Sequence, residues 1–245
     1  MTSLIQIEGT ATGRALRAQQ LLREREDELL ADLTAKVTLA ADLQLPLAQR
    51  EEVRDRLIDF CTSRLVRHLL ATDQVLYSVG AGAAETRLLA RALRALHDLG
   101  AARIAEMKRA DSSAEFAASA HALVGVLEVC HHIEHGLLIP ALAVLPGVDL
   151  SVLAVDIDTL LAGGALDAPR VVDVREIPHG RRHPRIFGLY ARLAPGESFV
   201  LVNNHDPKPL RREFQATYPD QFGWDYLEAG PNRWRVRIAR LPANA

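Results

Sequence analysis

The chain has 245 residues, 49% of them hydrophobic and 24% charged, with a formal net charge of −2 and a pI near 6.5. This composition supports one large or two small packed domains and excludes intrinsic disorder. It offers no global basic field for nucleic acid or an anionic membrane, no run of 18 apolar residues, and only two cysteines, Cys61 and Cys130, too few for a disulfide framework.

Residues 14–43 carry Leu22, Leu29, Leu30, Leu33 and Val37 at helical spacing, and Pro46 stops that helix. Residues 50–78 repeat the pattern with Leu57, Cys61, Leu65, Leu69 and Leu76, until Gly80 and Gly82 break it. A third helix is predicted over 84–109 (Leu89, Leu93, Leu96, Ile104, Met107). After a turn at Asp111, Ser112 and Ser113, a fourth runs over 114–139 with Pro140 near its end. A shorter helix over about 150–162 ends at Gly163. Four long helices with short loops predict an up-down-up-down bundle. The N-terminus, MTSLIQIEGTATGR, has no basic stretch followed by an apolar run, so the sequence predicts no secretion leader and a cytoplasmic chain.

From Arg170 the period changes. Strands are predicted over 170–174 and 198–203, each followed by a helix, and a hairpin over 222–228 and 233–240 turns at Gly230, Pro231 and Asn232. The first of these helices is expected to open at His183 with Pro184 as its first residue, and the second to take Asp206 as its N-cap. The order is βαβαββ, a small two-layer sandwich. Composition shifts at the same place: three aromatics and three prolines lie before residue 166, and nine of each after it. The reading is therefore an α+β two-domain chain, with a helical bundle over 1–165 and a βαβαββ domain over 166–245. Trp224 and Trp234 are read as core.

Bundle cores are where such folds build metal sites. Projected at 100° per residue, Val126, Leu127, Cys130, Ile133 and Leu137 define the apolar face of the fourth helix. Glu134 falls on that face and His131 at its edge, whereas His121, His132 and His135 fall on the opposite side and are expected to be solvated. His68 and Thr72 fall on the apolar face of the second helix, with Asp73 at its edge. His97 flanks the stripe of the third, and Glu26 lies within that of the first. Two carboxylates and two histidines facing one core need partners, and a transition metal would satisfy them together.

Three stretches carry a resemblance. They are His68 with Thr72, Asp73, Leu76 and Tyr77; Leu96 and His97 with Ile104; and Cys130 through Glu134, His135, Leu138 and Pro140. Over roughly 14–145 the chain resembles a hemerythrin-like domain of the bacterial type, whose helices hold two non-haem irons that bind dioxygen or react with nitric oxide. The resemblance implies His68, His97 and Glu134 as matching ligands. Thr72 stands where a carboxylate belongs, with Asp73 beside it. Cys130 stands where a histidine belongs, with His131 one residue away. Glu26 is the best-aligned residue for the absent first-helix histidine. Three readings follow: an intact di-iron carrier; an altered site of one metal or a changed pair (iron, with zinc or manganese as alternatives) held by some of these residues; or a metal-free interaction module.

Two parallel strands, each followed by a helix, bring both helix N-termini to one sheet edge, where anions are favoured. Arg175, Arg181, Arg182, His183, His205 and Asp206 are expected to converge there on a small anion. A metal on His183 and His205, or simple helix capping, are the other options. The motifs around Asp173 to Arg175, Arg182 to Phe187, Leu201 to Leu210 and Trp224 to Tyr226 resemble the domain of unknown function of family 2249, which shares a sulfur-carrier-like fold. Sulfur carriers use a cysteine, and residues 166–245 contain none. Together these imply a non-haem metal redox or gas-response protein for O2 or NO, with a small-ligand-binding C-terminal domain. The alternatives are a metal enzyme using O2 or nitrogen oxides on a small substrate, or a protein-partner module. No nucleic-acid or membrane partner is expected.

Overall fold

The computed structural model describes residues 11–242, so the leader reading, which falls mostly on residues 1–10, lies outside the described residues. The helical part runs α1 (Ala11–Ala40), α2 (Leu47–Phe60), α3 (Val66–Thr72), α4 (Ser78–Ala81), α5 (Ala84–Arg109), α6 (Ser113–Ile133), α7 (Ile139–Val144) and α8 (Leu150–Leu161). Local chemistry accounts for the ends. Pro46 is the N-cap of α2. Ser112 and Glu115 form a reciprocal capping box at α6, each side chain accepting from the other's backbone N–H at 3.2 Å. Asp149 caps α8 by accepting from the Ser151 N–H at 2.9 Å.

Three single π-helical turns interrupt the helices: Cys61–Leu65, Asp73–Tyr77 and Glu134–Leu138. In a π turn the N–H reaches five residues back rather than four, so one extra residue is absorbed. Side chains in and after it are then rotated by roughly 100° relative to a straight helix. This corrects two expectations for the fourth helix. Leu137, assigned to the apolar face, is 58% exposed, while Leu138 is fully buried. His135, assigned to solvent with His121 and His132, is buried at 7% exposure; the other two are exposed.

After α8 come β1 (Val171–Asp173), α9 (His179–Arg192), β2 (Ser198–Asn203), α10 (Lys208–Thr217), β3 (Phe222–Ala229) and β4 (Trp234–Arg240). They build one four-stranded mixed sheet in the order β1-β2-β4-β3, with β1 parallel to β2 and the other pairs antiparallel. Two helix starts differ from expectation. Pro178 is the N-cap of α9, a full turn before His183, so Pro184 sits inside the helix. Asp206 does not cap α10. Its carboxylate accepts from the Tyr226 hydroxyl at 2.8 Å and pairs with Lys208 at 3.2 Å, while Pro209 occupies the first turn, where no N–H is needed.

The chain divides into two compact units. The first holds the residues up to Asp73 together with Ala92–Pro140. Its core draws Leu33 from α1, Leu57 from α2, Met107 from α5 and Phe116 and Leu123 from α6, with Leu65 from the first π turn. By length and composition alone, Ser113–Val144 is long and apolar enough to cross a membrane. Within this unit, α6 instead packs into the shared core.

The second unit holds Gln74–Arg91 with Ala141–Ala245. Its core is aromatic: Phe187, Tyr190, Phe214 and Tyr218 pack with centroids 4.5 to 6.0 Å apart, and Trp224 lies on Phe214. The 74–91 segment seats on α9. Gln74 donates to the Ala191 carbonyl at 2.6 Å, and the Tyr218 hydroxyl donates to Ser78 at 2.7 Å. Gly82 lies so close to α9 that a Cβ there would stand 2.7 Å from the Cα of Pro184.

Candidate functional sites

The helical unit encloses a cavity of about 40 Å3 lined by Glu26, His68, Thr72, His97, Cys130, His131 and Glu134 over a floor of leucines. Seven residues singled out by the helical projection thus meet at one place. Asp73 does not join them, because its carboxylate accepts from Arg94 Nε at 2.5 Å. Within the group, His97 Nε2 stands 3.9 Å from Glu134 Oε1. Thr72 Oγ1 is buried and makes no hydrogen bond among the described residues.

At one end of this cluster Glu26 faces two imidazoles. Its Oε2 is 2.8 Å from His135 Nε2 and 3.3 Å from His131 Nδ1. The other nitrogen of His131 reaches Asp27 at 3.1 Å. The ligand atoms of Glu26, His131 and His135 all lie within 4.8 Å of one another, close enough for a metal ion to draw them together. His135 is the member that periodicity missed. The available signal was its place four residues after His131, which puts two imidazoles on one side of a helix.

The electrostatics follow from burial. Burial alone would raise the Glu26 carboxyl, but hydrogen bonds with His131 and His135 outweigh it and hold the group well below the usual carboxylate range. Burial lowers His68 and pushes His97 down to about 4, so both imidazoles are neutral near pH 7, the form in which a ring nitrogen can bind a metal. Chiefly through its hydrogen bond to Glu26, His131 moves upward. Burial, with the Glu134 and Glu26 charges, pushes the Cys130 thiol up to about 12, and burial does the same to Cys61.

The α/β unit has a second cavity, also about 40 Å3, beyond the carboxyl ends of β1 and β2. Of the residues expected at that edge, Arg182, His183 and His205 line it. Arg175 does not; it is exposed and paired with Asp173 at 2.6 Å. Arg181 is exposed and Asp206 is engaged elsewhere. His179 and Asn203 line the cavity and were not anticipated. His179 enters because α9 begins one turn earlier than His183.

Residues 171–240 match the family described as an uncharacterized conserved protein (DUF2249), and the match covers the whole mixed sheet and both of its helices. No curated protein and no solved structure gives a significant match to the chain.

Proposed function

We propose that this chain is a non-haem metal protein whose helical unit, a hemerythrin-like four-helix bundle, binds or senses O2 or NO, and whose α/β unit binds a small ligand. The observation that carries the reading is the convergence of Glu26, His131 and His135 in the helical core. A buried carboxylate facing two histidines is a donor set suited to iron, manganese or zinc. The remaining lining fits such a group as well. His68, His97 and Glu134 offer further nitrogen and oxygen donors, and the Thr72 hydroxyl lacks a partner that a metal-bound molecule would supply.

Iron held there would supply reversible electron transfer to a diatomic ligand. The chain's own residues do the rest. Asp27 holds the outer nitrogen of His131 and so fixes its ring. Leu29, Leu33, Leu65 and Leu127 keep water away from the cavity. The cavity holds a few water-sized molecules, which favours a diatomic gas over turnover of an organic substrate.

The test is metal content and visible spectrum of protein purified from iron-supplemented cells. Stoichiometric metal, lost in Glu26→Gln and His135→Ala but retained in the exposed-site control His132→Ala, is the expected result. Metal-free protein whose thermal stability is unchanged by chelation would overturn the reading.

A further inference from the structure

The cavity of the α/β unit is lined by a buried guanidinium, that of Arg182. Arg182 is 7% exposed and Asn203 is 5% exposed. Three bonds fix the guanidinium: Nε donates to the Ile177 carbonyl at 2.6 Å, one terminal nitrogen to the Arg175 carbonyl at 3.1 Å, and the other to Asn203 Oδ1 at 3.5 Å. All three acceptors are neutral, and among the described residues Arg182 makes no ion pair. Five N–H groups meeting three acceptors leave donors to spare.

The rest of the lining is apolar residues, Asn203 and three histidines. Among the described residues no carboxylate lines the cavity. His179 and His205 approach with ring centroids 5.9 Å apart. His205 is drawn below its ordinary pKa by burial and then by Arg182, His179 and His183, against an opposing pull from Asp206. His183 does have an acidic neighbour, Glu213 at 2.8 Å, but Glu213 also pairs with Arg87 at 3.0 Å. The α9 N-terminus begins at His179 and adds its unpaired N–H groups. A buried guanidinium without an opposing charge is costly, and a bound anion removes that cost.

We propose that this cavity binds one tetrahedral oxyanion of the phosphate or sulfate type, free or as the terminal group of a small molecule, through Arg182, Asn203, His179 and His205. This deepens the small-ligand reading of the α/β unit and rests on it, but not on the metal reading of the helical unit. At about 40 Å3 the cavity is of small-ion size.

The experiment titrates the full chain with sodium phosphate at constant ionic strength, following melting temperature and calorimetric heat. Saturable binding is expected, weakened by about tenfold or more in His179→Ala/His205→Ala, which removes two imidazoles from the lining. Since Arg182 also holds the 175–178 loop, Arg182→Lys serves as the milder second variant and is expected to weaken binding while the protein stays folded. A glycerol phosphate arm separates the two sources: equal binding assigns a terminal phosphoryl group, and phosphate alone assigns the free ion. Two outcomes overturn the proposal: no saturable phosphate binding, or equal binding by wild type and the double variant. Zinc bound without phosphate and lost in the double variant overturns it in favour of a metal. Glu26→Gln is expected to bind phosphate as wild type does, so loss of the metal reading leaves this result standing.

Discussion

Glu26 keeps its charge inside the helical core because His131 and His135 face it. Removing one partner of a buried ionic group strands the others, so Glu26→Ala in chelator-treated protein is expected to lose about 3–5 kcal/mol by urea denaturation. His97 sets a pH dependence of its own. Its folded pKa is about 4, against 6.5 for the free side chain, so the unfolded state binds more protons between those values. The sign is that stability rises with pH across this window and is lost as pH falls from about 6.5 toward 4, at up to about 1.4 kcal/mol per pH unit for one group. His68 acts in the same direction. Urea midpoints of the metal-free protein from pH 4 to 7 should therefore climb, and His97→Gln should flatten the climb. Neither imidazole could be assigned this behaviour from the sequence, because burial depth decides it. That Glu26 and His68 face inward was legible, since each falls among apolar residues at helical spacing.

Among the elements, the π turn Glu134–Leu138 decides which side of the fourth helix meets the core. A constant 100° step carries Glu134 to the apolar face correctly and then fails one residue later, at His135. The failure has a physical source: no residue between Glu134 and Leu138 announces a change of hydrogen-bond step, as proline would announce a kink. Helix starts show the same division. The box at Ser112 and Glu115 was readable as a turn followed by a helix, whereas Asp206 had the right type for a cap and was taken by Tyr226 from a distant strand. The strands β2 and β4 were expected over 198–203 and 233–240 from local pattern and were therefore legible. The seating of 74–91 on α9 was not, because it depends on the absence of a Cβ at Gly82. Adding one meets the backbone of Pro184 at 2.7 Å, where neighbours cannot rotate aside. Gly82→Ala is accordingly expected to destabilise the α/β unit by about 1–3 kcal/mol, read as a drop in the tyrosine and tryptophan near-UV signal on heating.

For the whole molecule, the two compact units are not two consecutive stretches of chain. Gln74–Arg91 belongs with the sheet, although the residues on either side of it belong with the helical core. A fragment of residues 166–245 lacks that segment and leaves Ala191 and Tyr218 without the bonds from Gln74 and to Ser78. It is expected to melt at a lower temperature than the full chain's α/β signal and to bind a hydrophobic dye that the full chain excludes. The interleaving also orders events on the ribosome. At roughly 5–20 residues per second, the 74–91 segment is made about 7–30 seconds before β4 is finished. Over that interval Val79, which lies against Gly188 of α9, has no complete α/β unit to rest on. The helical core can close once Pro140 is out, but the aromatic core must wait for the last strand. Slowing synthesis downstream of Arg91 is expected to lengthen this exposure rather than help folding.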